Sequence, residues 1–98
     1  AVFVANDQMA LAVLHSAGRH DLVVPKDLGV VGFDNFAESA YFWPALTTIN
    51  HNHHELGCRA VQEVVAQIEA VHRGEPVKEQ TVWLSTELMV RESTAKQE

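Results

Sequence analysis

Two short apolar runs in this chain each end in a paired amide and acid. Ala1-Val2-Phe3-Val4-Ala5 leads into Asn6-Asp7, and Leu28-Gly29-Val30-Val31-Gly32-Phe33 leads into Asp34-Asn35. An ionised carboxylate accepts several hydrogen bonds, and an amide both donates and accepts. Together they suit the vicinal hydroxyls of a sugar. Open α/β sheets bind ligands just beyond the carboxyl ends of their strands, so Asn6 and Asp34 are the first candidates for ligand contacts. Each also has a plainer reading. Asn6 could simply cap a helix, and Asp34 could close a turn through its own backbone. Asp7 reads as a cap or as a first-turn acid favoured by the helix dipole.

A second polar cluster follows at His51, His53 and His54, with Cys58 one helical turn beyond His54. Imidazole suits zinc, copper and nickel. A structural tetrahedral site, however, draws ligand pairs at defined spacing from two places. No second pair stands out, so neither a metal site nor a cofactor is expected, and a solvated helix start is the plain account. Tyr41, Phe42 and Trp43 precede Pro44. They could stack on a sugar, pack in the core, or bury a subunit contact, where aromatics are enriched. The chain has no glycine-rich phosphate loop, no Gly-x-Ser-x-Gly elbow and no nucleophile beside a base. It does not read as an enzyme.

These residues need a scaffold, and hydrophobic spacing supplies one. Residues 1–5 and 28–33 read as buried strands, continuous and apolar. Between them Met9, Ala10, Val13, Leu14 and Ala17 recur at helical spacing, Leu11 lies off that stripe, and Gly18 suits a left-handed C-terminal position. Val24 before Pro25 predicts extended backbone. Strand, helix, strand with short connections implies a βαβ unit and a parallel sheet. Residues 34–45 read as an irregular loop and 46–50 as a short extended segment. Asn52 with Glu55 resembles a capping box. The helix it opens carries Leu56, Ala60, Val61, Val64, Val65, Ile68 and Val71 on one stripe and stops at Gly74-Glu75-Pro76. Thr81 to Val90 alternates as a last strand, with Trp83 a packing residue; Arg91 reads as a surface or salt-bridging residue. The tail from Ser93 is polar and is expected to fray.

The 98 residues hold 7 basic and 13 acidic side chains, a net charge of −6, with no basic stripe. That balance argues against direct contact with nucleic acid. One cysteine excludes an internal disulfide framework and fits a reducing cytoplasm. No apolar run approaches a membrane span. The chain opens at Ala1 inside a strand-like run, which predicts a piece of a longer protein.

Taken in order, Val4-Ala5-Asn6-Asp7-Gln8-Met9-Ala10-Leu11, Val24-Pro25-Lys26-Asp27-Leu28, Val30-Val31-Gly32-Phe33-Asp34, Pro44-Ala45-Leu46-Thr47-Thr48-Ile49, Leu56-Gly57 and Glu87-Leu88-Met89-Val90-Arg91-Glu92-Ser93-Thr94 resemble the lac repressor/gal repressor family of bacterial transcription regulators. Any one motif is weak; six in order are strong. The resemblance runs from Val2 to about Ala95 and implies an α/β, parallel-sheet, type I periplasmic-binding-protein-like fold, present here as a C-terminal segment of a two-lobed domain. Residues 1–49 and about 80–93 would belong to the C-terminal lobe, and the helix at about 53–74 to the N-terminal lobe, with hinges near Asn50-His51 and Val77-Lys78. The implied function is effector sensing, with a sugar in the cleft, in a cytoplasmic homodimer that reaches operator DNA through a helix-turn-helix outside this chain. His51 and His53 fall where the family places cleft-facing side chains, and Leu11 and Phe42 fall near the dimer seam. The sequence reads His-Asn-His-His where Gln-Asp-Phe-like residues are commoner, which bears on effector identity. A transporter's periplasmic sugar-binding protein would share this cleft, and a histidine-cluster metal protein is the other rival.

Overall fold

The computed structural model describes residues 1–94. It divides into two compact units, one formed by residues 1–50 with residues 86–94, the other by residues 51–85.

In the first unit, strand β1 (Val2–Phe3) leads to helix α1 (Asp7–Arg19), which returns the chain to strand β2 (Val30–Val31). The two strands pair in parallel, Val2 opposite Val30 and Phe3 opposite Val31. This is the βαβ arrangement that the apolar runs predict. The ladder extends past β2, because the Gly32 N–H donates to the Thr47 carbonyl (2.9 Å) and the Asp34 N–H to that of Ile49 (3.1 Å). Strand β3 (Thr48–Asn50) then pairs antiparallel with β4 (Glu87–Met89), Thr48 opposite Met89 and Asn50 opposite Glu87. A parallel bridge between Val31 and Thr47 joins the two pairs.

Val4, Ala10, Leu14, Val30 and Leu46 form the core, with Val13, Val24, Leu28 and Phe42 packed against it. Ala10, Leu14 and Ala17 are the buried face of α1, as their spacing requires, while Met9 and Leu11 are about half exposed. Gly32 lies where no side chain fits. A Cβ there would overlap the Asp7 carboxylate and stand 2.9 Å from Leu46 Cδ2.

The second unit is helix α2 (His53–His72) followed by residues 73–85 without regular structure. Asn52 is its N-cap, with Oδ1 accepting from the Glu55 N–H at 3.0 Å, and Gly74 takes the left-handed position after its end (φ 70°). Glu63 ties the following segment to the helix by accepting from Gln80 Nε2 at 2.6 Å. Among the described residues the apolar stripe is left unburied. Leu56, Val61, Val64, Val65, Ile68 and Val71 are all exposed, and α2 has no buried residue.

Several local expectations fail for identifiable reasons. Gly18 does not end α1 in a left-handed conformation. The helix continues through Arg19, His20 caps it through bonds to Ser16, Ala17 and Gly18 carbonyls, and Asp21 takes the positive φ (57°). A short polar side chain tolerates that region. Val24-Pro25 lies in a turn spanning 24–27, closed by Asp27 Oδ2 accepting from the Val23 N–H at 2.8 Å. The loop at 34–45 contains a 3₁₀ turn, Ala37–Tyr41. Of the proposed last strand only Glu87–Met89 is in a ladder; residues 81–86 alternate but meet no strand among the described residues. Trp83 accordingly is not packed but 89% exposed.

Candidate functional site

Asn6 and Asp34 stand at the carboxyl ends of neighbouring parallel strands, and the Asp7 N–H donates to the Phe33 carbonyl (3.1 Å) across the gap between them. The strand pairing therefore brings the two residues to one rim of the sheet. Asn6 does act as the N-cap of α1, with Oδ1 accepting from the Met9 N–H at 2.9 Å. That bond uses the acceptor of the amide, whose two donors are a separate resource. Asp34 does not sit in an ordinary turn: it has φ 113°, and Asn35 follows at φ 55°. Two consecutive non-glycine residues at positive φ persist only where their surroundings hold them.

The holding is done by polar side chains behind the rim. Asp7 is fully buried. Its Oδ1 accepts from Thr48 Oγ1 (2.7 Å) and its Oδ2 from the Phe36 N–H (2.9 Å), so one carboxylate ties the start of α1 to β3 and to the loop after Asp34. Thr48 Oγ1 in turn accepts from the Asn35 N–H at 3.3 Å. On the other side Arg91 reaches Asn35 Oδ1 through Nη2 (2.8 Å), and Ser39 Oγ (2.9 Å) and the Leu46 carbonyl (3.0 Å) through Nη1. Ser39 Oγ passes its own proton to the Phe36 carbonyl at 2.7 Å. Ser93 begins the segment expected to fray, yet it is buried and completes the frame, donating to the Val30 carbonyl (2.6 Å) and accepting from the Thr47 N–H (2.8 Å). Planar guanidinium and carboxylate groups suit this task because each fixes several partners at set angles.

Reasoning from residue types alone missed most of this frame. Asp7 is indeed a first-turn acid, but its partners lie 29 and 41 residues away. Arg91 is a clamp on the loop, not a surface residue, and only the Arg-Glu-Ser-Thr motif hinted that the segment mattered. Of the three adjacent aromatics, Tyr41 and Trp43 are about nine-tenths exposed while Phe42 packs on the core.

His51 and His53 belong to the second unit and lie together there, their rings 4.0 Å apart and edge-to-face at 61°. His51 lines a hollow of about 160 Å³ with Asn52, Glu55, Leu56, Val82 and Leu84. His53 starts α2 and is exposed. The sequence and this geometry both match known proteins. The profile of the periplasmic binding protein-like domain family matches residues 1–94. The chain is 37% identical over 93 residues to the transcriptional repressor PurR of Pasteurella multocida (strain Pm70), covering 95% of this chain and 27% of that protein. Among solved structures, a complex of the transcriptional regulator CelR with cellobiose superposes with TM-score 0.83 at 34% identity, over 94% of this chain and 27% of the other. The lac repressor dimer bound to operator and the anti-inducer ONPF superposes with TM-score 0.79 at 34% identity, over 94% and 30%. The chain thus spans about a quarter of the length of the curated relatives it matches. It belongs to the periplasmic binding protein-like domain family, in the lac repressor/gal repressor branch.

Proposed function

We propose that this chain is part of a sugar-sensing domain in a longer transcription regulator of the lac repressor/gal repressor type. Asn6 and Asp34 would grip vicinal hydroxyls, and His51 and His53 would also contact the effector. The observation that carries this reading is a carboxylate held at φ 113° on a strand-end rim by a buried polar frame. Such rigidity suits a binding group, because a side chain positioned beforehand loses little entropy when the ligand arrives. The cellobiose complex of a relative favours a sugar over other small polar molecules.

Residues 1–50 and the chain from Thr86 would lie in one lobe and residues 51–85 in the other. The division into compact units supports a first crossing near Asn50-His51 and a second between Val77-Lys78 and Thr86. A sugar that binds one lobe arrangement better than another shifts the population toward it, and operator affinity changes through linkage. DNA contact would be made by another part of the longer, homodimeric, cytoplasmic protein, without enzymatic activity. Among the described residues no helix is long and apolar enough to cross a membrane.

Thermal-shift screening and titration calorimetry of the full-length gene product against mono- and disaccharides test the proposal. A ligand that binds only the native state must raise its stability. At least one sugar should bind, and Asp34→Asn should weaken it by about ten- to a hundredfold. That range corresponds to the roughly 1.5–3 kcal/mol of a hydrogen bond to a charged group. Asparagine keeps the size and the left-handed tolerance of aspartate, and melting without ligand, measured alongside, separates lost binding from lost stability. Unchanged sugar affinity in Asp34→Asn would refute the assignment.

A further inference from the structure

The exposed surface of α2 carries a feature that effector sensing does not use. His54 Nε2 and Cys58 Sγ, one turn apart, lie 3.6 Å from each other. Zinc-type bond lengths of about 2.3 Å to sulfur and about 2.0 Å to nitrogen, at a tetrahedral angle, require an S···N edge of about 3.5 Å. The two ligand atoms are therefore already at chelating separation without a rotamer change. Spacing by four residues puts them on a single ridge, which Gln62 continues one turn further. Gly57, beside Cys58, presents open space where a Cβ would stand. An open hollow lined by His53, His54, Gly57, Cys58, Val61 and Gln62 adjoins both ligand atoms. At about 100° per residue, Cys58 lies roughly 110° round the helix from the middle of the Leu56–Val71 stripe. His54 lies roughly 70° from that middle, angularly between Val61 and Val65, so the pair borders the edge of the stripe.

We propose that His54 and Cys58 form a surface chelate for a soft divalent transition-metal ion such as zinc or cobalt, with water completing the coordination. The thiolate and imidazole match that class by softness and exclude calcium and magnesium, which take oxygen ligands. Binding replaces the thiol proton, which passes to water as the metal–sulfur bond forms; no electron is transferred. The site stands apart from the sugar-sensing reading.

Cobalt(II) titration of the reduced, untagged full-length gene product provides the test, because a cysteine-bound cobalt shows a thiolate-to-metal charge-transfer absorption that histidine-bound cobalt lacks. The band should saturate at one metal per chain, and zinc should bleach it by displacement. Cys58→Ser should abolish the band, and His54→Ala should weaken the affinity at least about tenfold. Both residues are on an exposed helix face, so the helical circular dichroism of the variants should match the parent. No thiolate band, a band that survives in Cys58→Ser, or unchanged affinity in His54→Ala would each overturn the proposal.

Discussion

The closest steric constraint behind the rim is between Gly32 and Asp7, and it predicts a specific failure of additivity. The Gly32 backbone is not in the left-handed region, so alanine can adopt its conformation and the cost of Gly32→Ala is purely steric. The new methyl would overlap the Asp7 carboxylate and crowd Leu46 Cδ2 at 2.9 Å, and both residues are fully buried. Overpacking of this kind costs about 1–3 kcal/mol. Asp7→Ala alone strands the Phe36 N–H and the Thr48 hydroxyl, at about 1–3 kcal/mol for each donor left without an acceptor. In the double variant, however, the methyl at 32 enters the space the carboxylate has vacated. The combined loss should fall short of the sum by about 1–2 kcal/mol, the coupling expected of residues in contact. Urea unfolding of the full-length gene product, followed by circular dichroism for all four members of the cycle, measures this. Additivity within about 0.5 kcal/mol would show that the two groups do not meet, and the packing argument for the rim would fail.

Ser93→Ala should cost about 2–4 kcal/mol in the same unfolding experiment, because a buried donor and a buried acceptor lose their partner together; a loss under about 0.5 kcal/mol would remove Ser93 from the frame. Arg91→Lys keeps the charge but cannot fork to Asn35, Ser39 and Leu46 at once. Amide hydrogen exchange at residues 34–39 should therefore accelerate about tenfold or more, with the rest of the first unit unchanged, an opening easier by about 1.4 kcal/mol; uniform acceleration would indicate general destabilisation instead. Leu11 and Phe42 separate in the dimer proposed for the full-length protein. Leu11 is 47% exposed, so Leu11→Ala should weaken dimerisation in sedimentation runs about tenfold without lowering the melting point. Phe42 packs against the core, so Phe42→Ala should lower both, and unchanged dissociation in both variants would end the interface assignment.

What could be read in advance was whatever a local pattern encodes. The Ala10, Leu14, Ala17 spacing gave the buried face of α1, and Asn52 with Glu55 marked the start of α2 within a residue. The strand-end amide and acid pairs were visible because an apolar run stops where they begin. The frame behind them was not visible, since it depends on contacts across as many as 63 residues: Thr48 to Asp7, Thr47 to Ser93, Arg91 to Asn35, Ser93 to Val30. No periodicity records such pairings. Residues 81–86 show the opposite error, in which alternation was real but a strand also needs a neighbour to receive its hydrogen bonds.

The same contrast explains why the rim is braced by polar groups instead of by hydrocarbon. An apolar core fixes the separation of two elements but tolerates sliding, because dispersion is non-directional. Holding Asp34 and Asn35 at positive φ, at a cost of order 1–3 kcal/mol for each strained residue, demands partners that specify angle as well as distance. Backbone N–H groups of Asp34, Asn35 and Phe36 each find a separate acceptor, in Ile49, Thr48 and Asp7. Three consecutive donors aimed at two different elements, β3 and α1, leave the intervening backbone little freedom. The backbone that carries the Asp34 carboxylate consequently has an orientation set by Ile49, Thr48 and Asp7. Selectivity for one arrangement of hydroxyls would follow from that orientation, since a carboxylate free to swivel could satisfy many sugars almost equally well.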